Sequence, residues 1–509
     1  MKKYNRLLSV ATALGIFGAS AFAFSGCADK EEVITLRVCS WEEYIDLGDW
    51  DEEELIDIAN PYREGGQGII GVNAVYDDFA EWFNEENDFG FKVKVEYSTF
   101  GTNEDLYNRL SLGDVYDLVC PSDYMIMKLL AENKIEEYSE DFMQNGEYAN
   151  NVSPYINGIF NQYGWDKYAA CYMWGTTGIV YNPEKIDDVQ DVASWDILLN
   201  EKYKRQVTVK DNVRDAYFAT LGIINHDLLT DPQYDKSNLT ELMNATDGET
   251  IEKAEDVLKK IKDNVYSFET DSGKADMVTG KVVANYQWSG DAITILDEAD
   301  EDGTELWYSV PDECANLWFD GWVMLKDGIN GSAERQTAAE AFVNFLSRPD
   351  NAIRNMYYIG YTSAIAGDMV FEYLDWNYGA ENGAKTIDYD VSYFFGENGE
   401  YIICADENCF EIEDDGQTIN RGRQLFAQYP PENVKSRSVV MLDFGDKLTD
   451  INQMWINVRC LDVLDISPVT IGIICGAIGL ITIAAVLYGF RYKIFIKHKP
   501  QKGFEKTET

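Results

Sequence analysis

Short runs of alternating apolar and polar residues recur along this chain, separated by stretches whose apolar residues follow helical spacing. Residues 35–44, Thr-Leu-Arg-Val-Cys-Ser-Trp-Glu-Glu-Tyr, begin as a strand and empty into two aromatics and two carboxylates. Residues 91–97 alternate with period two and predict a second strand; 103–112 predict a helix capped by Asn103. A short buried strand at 117–122 precedes a helix at 124–133, and 178–183 reads as a strand and turn. Strand-like 205–209 leads into a helix start at 211–215, and 282–288 is a strand ending in Trp-Ser-Gly-Asp. Residues 318–322 precede a strand at 323–325, and 333–346 form an amphipathic helix with Ser332 placed to cap it. Strands alternating with helices predict α/β lobes. The Gly-, Asn-, Asp- and Tyr-rich stretch 372–433 reads as a surface excursion, with no repeat visible elsewhere. Acidic residues 297–305 fail the calcium-loop pattern, because Ser309 stands where a bidentate carboxylate is needed, and they read as a solvated turn.

A length of 509 residues implies more than one domain, and 13% aromatic residues imply a folded chain. A formal charge of −47 argues against nucleic acid as a partner; such a field draws cations, although it also serves solubility alone. Residues 1–26 resemble a signal peptide, with a basic start, an apolar run and small residues before Cys27. Cys27 sits where a lipobox places its acylated cysteine, with Phe24 where Leu is usual; an uncleaved N-terminal anchor is the alternative. Residues 27–33 would then be a lipid-anchored linker. Residues 469–490 carry no charge and suffice to span a bilayer. The basic tail 491–509 places itself in the cytoplasm, leaving everything between the two ends outside. Cys404 and Cys409 are close enough in sequence to bridge a loop, while Cys39 and Cys120 lie in apolar runs and read as core. With His226 and His498 the only histidines, a zinc hydrolase or a Ser-His-Asp enzyme is excluded.

Several strand ends share one composition, an aromatic beside an acid or small polar group: Trp41/Glu43/Tyr44, Ser98/Phe100, Asn212/Asp215, Trp288/Asp291 and Trp318/Asp320. Ligands of open α/β sheets bind outside such carboxyl ends. Carboxylates and ring faces together suit an organic ammonium ion. Each cluster also has a plain reading: half-buried aromatics beside solvated acids, Asp215 as a helix cap, Asp320 paired with a nearby base.

The succession of motifs resembles the polyamine-binding family of bacterial ABC transporters over nearly all of residues 34–366. It is carried by Ser-Trp-Glu-Glu-Tyr (40–44), Tyr-Ser-Thr-Phe (97–100), Tyr-Asp-Leu-Val-Cys-Pro-Ser (116–122), Trp-Gly-Thr-Thr-Gly-Ile (174–179) and Asp-Asn-Val-Arg-Asp (211–215). Trp-Ser-Gly (288–290), Trp-Phe-Asp (318–320) and Ile-Gly-Tyr-Thr (359–362) continue it. The resemblance implies a two-lobed, type II periplasmic-binding-protein fold. Lobe 1 would comprise 34–175 with 321–435, lobe 2 176–320 with 436–466. It implies a binding protein rather than an enzyme, with no cofactor and no metal, delivering spermidine or putrescine to permease subunits at the extracytoplasmic face of the cell membrane. A membrane-anchored amine sensor is the alternative.

Carried over by residue, Trp41 and Glu43 would hold one end of the polyamine, with Glu42 where the family has a small hydroxyl. Tyr44, Trp288, Trp318 and Tyr361 would form the aromatic walls, Ser98 and Thr270 would supply hydroxyls, and Asp215 and Asp320 would pair with ammonium groups. The chain departs from the pattern in three places. Phe100 replaces a tyrosine and loses a hydroxyl, Asn212 replaces a carboxylate, and Met441 falls where the family has a glutamine.

Overall fold

The strands Ala170–Tyr181 and Ala315–Met324 lie antiparallel at the centre of the main sheet, and every residue of both is buried. Strands covered on both faces read as continuous apolar runs rather than as alternation. That is how Ala-Cys-Tyr-Met-Trp-Gly-Thr-Thr-Gly-Ile-Val-Tyr and Ala-Asn-Leu-Trp-Phe-Asp-Gly-Trp-Val-Met read, with Asp320 the one charged residue in either. Residues 318–322, expected ahead of a strand, are its middle.

This pair joins two groups of parallel strands. At one end Met324 and Val323 pair with Leu118–Val119, which lies beside Val33–Trp41 and then Lys92–Phe100, both parallel. At the other, Thr177 to Tyr181 pair with Ala284–Trp288, followed by Val207–Lys210 and Ser267–Glu269 in parallel. Trp307–Ser309 pairs with the other side of Ile179 to Tyr181.

The structure is a computed structural model describing residues 33–85, 89–396, 401–413, 415–416, 418–460, 480–486 and 488. These divide into two units, 1–451 and 452–509, and all described strands lie in the first. The expected signal segment, Cys27 and the cytoplasmic tail lie outside the described residues. So does most of 469–490; its described part, 480–486 and 488, is helical, and no described helix is long and apolar enough to cross a membrane.

The helix Ala333–Leu346 spans the predicted residues, with the Arg335 amide donating to Ser332 Oγ at 3.2 Å. The helix Asn103–Leu112 also matches, but Thr102 caps it. Asn103 is buried instead, donating to Tyr124 Oη at 2.9 Å. Most of the acidic stretch 297–305 belongs to the helix Ser289–Glu301 rather than to a turn.

Residues 372–433 are not merely a surface excursion. Ile419–Gly422 pairs with Trp307–Ser309, and Phe410–Ile412 pairs with Ile419–Gly422, extending the main sheet. Phe394, Phe426 and Tyr429 are fully buried there; their apolar area outweighs the turn-like composition around them. Cys404 and Cys409 are both free thiols. The hairpin strand Ile402–Asp406 alternates, turning Ile403 and Ala405 inward and Cys404 to solvent, whereas Cys409 is half-buried after the next turn. Cys39 and Cys120 are core residues as expected.

An ion network ties the segment after the first strand to two helices. Buried Asp46 accepts from the Gly48 amide at 2.8 Å and from Trp50 Nε1 at 3.0 Å, and pairs with Arg354. Arg354 also reaches Asp78 at 2.7 Å. Replacing Arg354 with Met strands the Asp46 carboxylate in the interior, so urea denaturation is expected to show a loss of about 3–5 kcal/mol. An unchanged midpoint would mean that the network carries no stability.

Candidate functional site

The first strand ends at Trp41, whose ring packs on that of Phe100, its partner in the neighbouring strand, at 4.8 Å between centroids. Glu42 and Glu43 follow in an exposed turn, Glu43 with a left-handed φ of 52°. The chain then dives inward at Tyr44. Tyr44 Oη donates to Asp320 Oδ2 at 2.6 Å, linking this turn to the central strand.

Three rings meet beside that contact. Tyr361 lies edge-on to Tyr44 at 5.2 Å and to Trp318 at 5.6 Å. Two glycines permit the approach: a Cβ at Gly290 would land on the Tyr361 ring, and one at Gly175 on the Trp318 indole. Tyr361 Oη donates to Asp291 Oδ1 at 2.9 Å, in the first turn of the helix Ser289–Glu301. Asp291 also binds Lys210 Nζ at 3.3 Å and Lys274 Nζ at 3.0 Å. Lys210 Nζ sits 3.9 Å from the centre of a Trp288 ring, and Trp288 Nε1 donates to Asp215 Oδ1 at 3.4 Å.

Tyr44, Trp288, Trp318, Tyr361, Asp215 and Asp320 therefore share one connected network. Other expected contacts are arranged differently. Asn212 caps the helix Val213–Ile224 by accepting from the Arg214 amide at 2.8 Å. Ser98 Oγ donates to the Val38 carbonyl at 3.2 Å. Thr270 is exposed, and its backbone carbonyl, rather than its hydroxyl, receives Lys210 at 3.0 Å. Phe100 is fully buried, and Met441 borders a small cavity with Arg214 and Phe444.

The electrostatics divide the network into two ends. Burial raises Asp320 to about 6, against hydrogen bonds from the Ser122 and Tyr44 hydroxyls, and its Oδ1 makes no full hydrogen bond among the described residues. Asp123, whose carboxylate accepts from the Tyr124 and Phe319 amides, is raised to about 8 by burial, with the Asp320 charge adding to the shift. Burial also raises Asp215 to about 6, with Lys210 the largest opposing influence. At Asp291, burial is outweighed by Lys210 and Lys274, and its pKa falls below the ordinary value. One end thus holds acids short of positive charge, and the other is neutralised from within the chain.

Lys210, Lys274 and Asp123 escaped the sequence reading. The pattern marks the Trp288/Asp291 strand end but gives Asp291 no role. A lysine closing a short strand carries no local sign that it will be buried against an indole.

Residues 78–367 match the family described as "Bacterial extracellular solute-binding protein". The chain is 28% identical over 364 residues to the spermidine/putrescine-binding periplasmic protein of Salmonella typhimurium, covering 71% of this chain and 84% of that protein. It is 27% identical over 363 residues to the Escherichia coli protein of the same name, with the same coverage. Among solved structures, the spermidine/putrescine ABC transporter substrate-binding protein from Streptococcus pneumoniae aligns with a TM-score of 0.53 and 23% identity, covering 84% of this chain and 98% of that one. That likeness establishes the two-lobed α/β periplasmic-binding-protein fold. With the match spanning more than half of its length, this chain belongs to the bacterial extracellular solute-binding protein family.

Proposed function

We propose that this chain captures polyamines outside the cytoplasm and hands them to the permease subunits of an ABC importer. It is a binding component, not an enzyme. The carrying observation is the buried Asp320 carboxylate, which meets only the neutral Tyr44 and Ser122 hydroxyls, is flanked by the Tyr44, Tyr361 and Trp318 rings, and has no cation paired with it among the described residues. A buried carboxylate is costly unless it meets a cation and hydrogen-bond donors. A protonated alkylamine supplies both, and its methylenes suit the ring faces, each cation–π contact adding about 0.5–2 kcal/mol. The names of the relatives point to the same ligand class.

In this reading lobe 1 comprises 34–175 with 321–435 apart from 410–422, lobe 2 comprises 176–320 with 436–451, and the strands Ala170–Tyr181 and Ala315–Met324 pass between them. Residues 410–422 join lobe 2 through their pairing with Trp307–Ser309. Trp41 and Glu43, with Glu42 beside them, approach the ligand from lobe 1, and Trp288 and Asp215 from lobe 2. Closing the lobes over the ligand produces the form a permease recognises. Cys27 as a lipid anchor and 469–490 as a membrane helix would keep the binding lobes at the membrane. Loss of palmitate labelling in Cys27→Ser is the expected sign of the former; labelling that persists rules it out.

Calorimetry with putrescine and spermidine is expected to show binding, weakened at least tenfold, or about 1.4 kcal/mol, by Trp318→Ala and by Asp320→Asn. Wild-type affinity in both variants would remove these side chains from the site. Binding is also expected to weaken from pH 7.5 to pH 5, by roughly tenfold for each acid that must ionise, because Asp215 and Asp320 hold protons up to about 6.

Without ligand the sign for stability is opposite. A carboxyl whose folded pKa exceeds its unfolded value binds its proton more tightly when folded. The fold therefore loses stability as pH rises from about 4 through about 6. Asp320→Asn is accordingly expected to stabilise the unliganded protein at pH 8 by up to about 3 kcal/mol, with little change at pH 4, as read by denaturant unfolding. Equal effects at both pH values would refute this.

A further inference from the structure

Lys210 closes the strand Val207–Lys210 with a side chain that is 0% exposed, on the ligand-facing end of a parallel strand pair. Its ammonium meets an indole face at 3.9 Å, a carboxylate at 3.3 Å and a backbone carbonyl at 3.0 Å. Those are the partners that a ligand ammonium would seek in this cleft. Lys274, with a side chain 29% exposed, binds the other oxygen of Asp291 at 3.0 Å. The Trp288/Asp291 corner is thus already supplied with positive charge. Asp320, by contrast, meets only the Ser122 and Tyr44 hydroxyls, and Glu42 and Glu43 stand exposed at the turn before Tyr44.

We propose that Lys210 is a resident ammonium that fills one cation subsite of the cleft, so that the site selects a short diamine over a longer triamine. The inference rests on the polyamine reading above and deepens it. A triamine brings three charges that must each find an acceptor on burial. With Asp291 taken by two lysines, the acceptors not directly paired with a lysine are Asp215, Asp320 and the Glu42–Glu43 turn, and of these Asp215 lies in the field of Lys210. A third ammonium would face Lys210 at short range, and like charges in a buried site repel strongly. Discrimination then comes from the repulsive element, while the aromatic walls stay common to both ligands.

Isothermal titration calorimetry on the purified full-length chain tests this with putrescine and spermidine as probes. The wild type is expected to bind putrescine at least tenfold more tightly than spermidine. Lys210→Met and Lys210→Thr are each expected to shift that ratio at least tenfold toward spermidine. An unchanged ratio in a variant that still binds an amine overturns the inference and leaves the polyamine reading intact. Wild-type binding of spermidine as tight as that of putrescine does the same, and that measurement needs no variant to fold. Failure of the wild type to bind either amine overturns both readings.

Discussion

The pairing of Ala170–Tyr181 with Ala315–Met324 is the constraint on which the rest depends. Strands on either side of the main sheet are reached only through this pair, and both of its members are buried throughout. Into that apolar centre the chain introduces one charged side chain, Asp320, where the register shifts between Asp320 and Gly321. A bulge re-aims side chains, and here it coincides with the acid that meets Tyr44. A hydrophobic residue would serve the core better. A carboxylate held there without a paired cation is costly, and the polyamine reading proposed above supplies that cation.

The acids around this centre differ in how far the chain itself satisfies them. Asp291 is shared by two lysines and a tyrosine hydroxyl. Asp215 has an indole N–H and the field of Lys210. Asp320 has two hydroxyls, Ser122 and Tyr44, and no cation. In the proposed reading this gradient gives the site a direction, with a ligand cation gaining most at Asp320 and least at Asp291. Burial deepens the contrast, because the same low dielectric that strengthens a made pair penalises an unmade one. The chain's formal charge of −47 adds a long-range attraction for cations but cannot choose among them.

Local signals made much of this legible. The amphipathic run 333–346 and its Ser332 cap emerged as the observed helix because spacing and capping are properties of neighbouring residues. The strand-end pattern placed Trp288 correctly, whereas Trp318 and Asp320 stand out by composition but lie in the middle of their strand. What escaped depends on residues distant in sequence. Lys210 and Asp291 are 81 positions apart, so nothing local marks their pairing. Asn212 reads as a ligand contact when its strand end is considered alone, yet the helix it precedes claims its side chain as a cap. In 372–433 the turn-forming residues dominate by number while Phe394, Phe426 and Tyr429 dominate by buried area, and area decides where the segment packs.

The positive groups near the cleft are also not interchangeable. Arg214 lies over the Tyr124 ring at 3.6 Å and the Phe444 ring at 4.2 Å, pairs with Asp443 at 3.2 Å and donates to the Leu442 carbonyl at 3.0 Å. Its planar, permanently charged head is therefore spent on fastening the 442–444 segment, a task that suits guanidinium geometry. Lysine ammonium is compact and resembles the end of an alkylamine far more closely than arginine does. A site that uses arginine for architecture and lysine against its indole keeps the two tasks chemically separate. The lysine, by contrast, holds the contacts an alkylamine would seek, and in the proposed reading this makes its position, rather than that of Arg214, the one that bears on ligand choice.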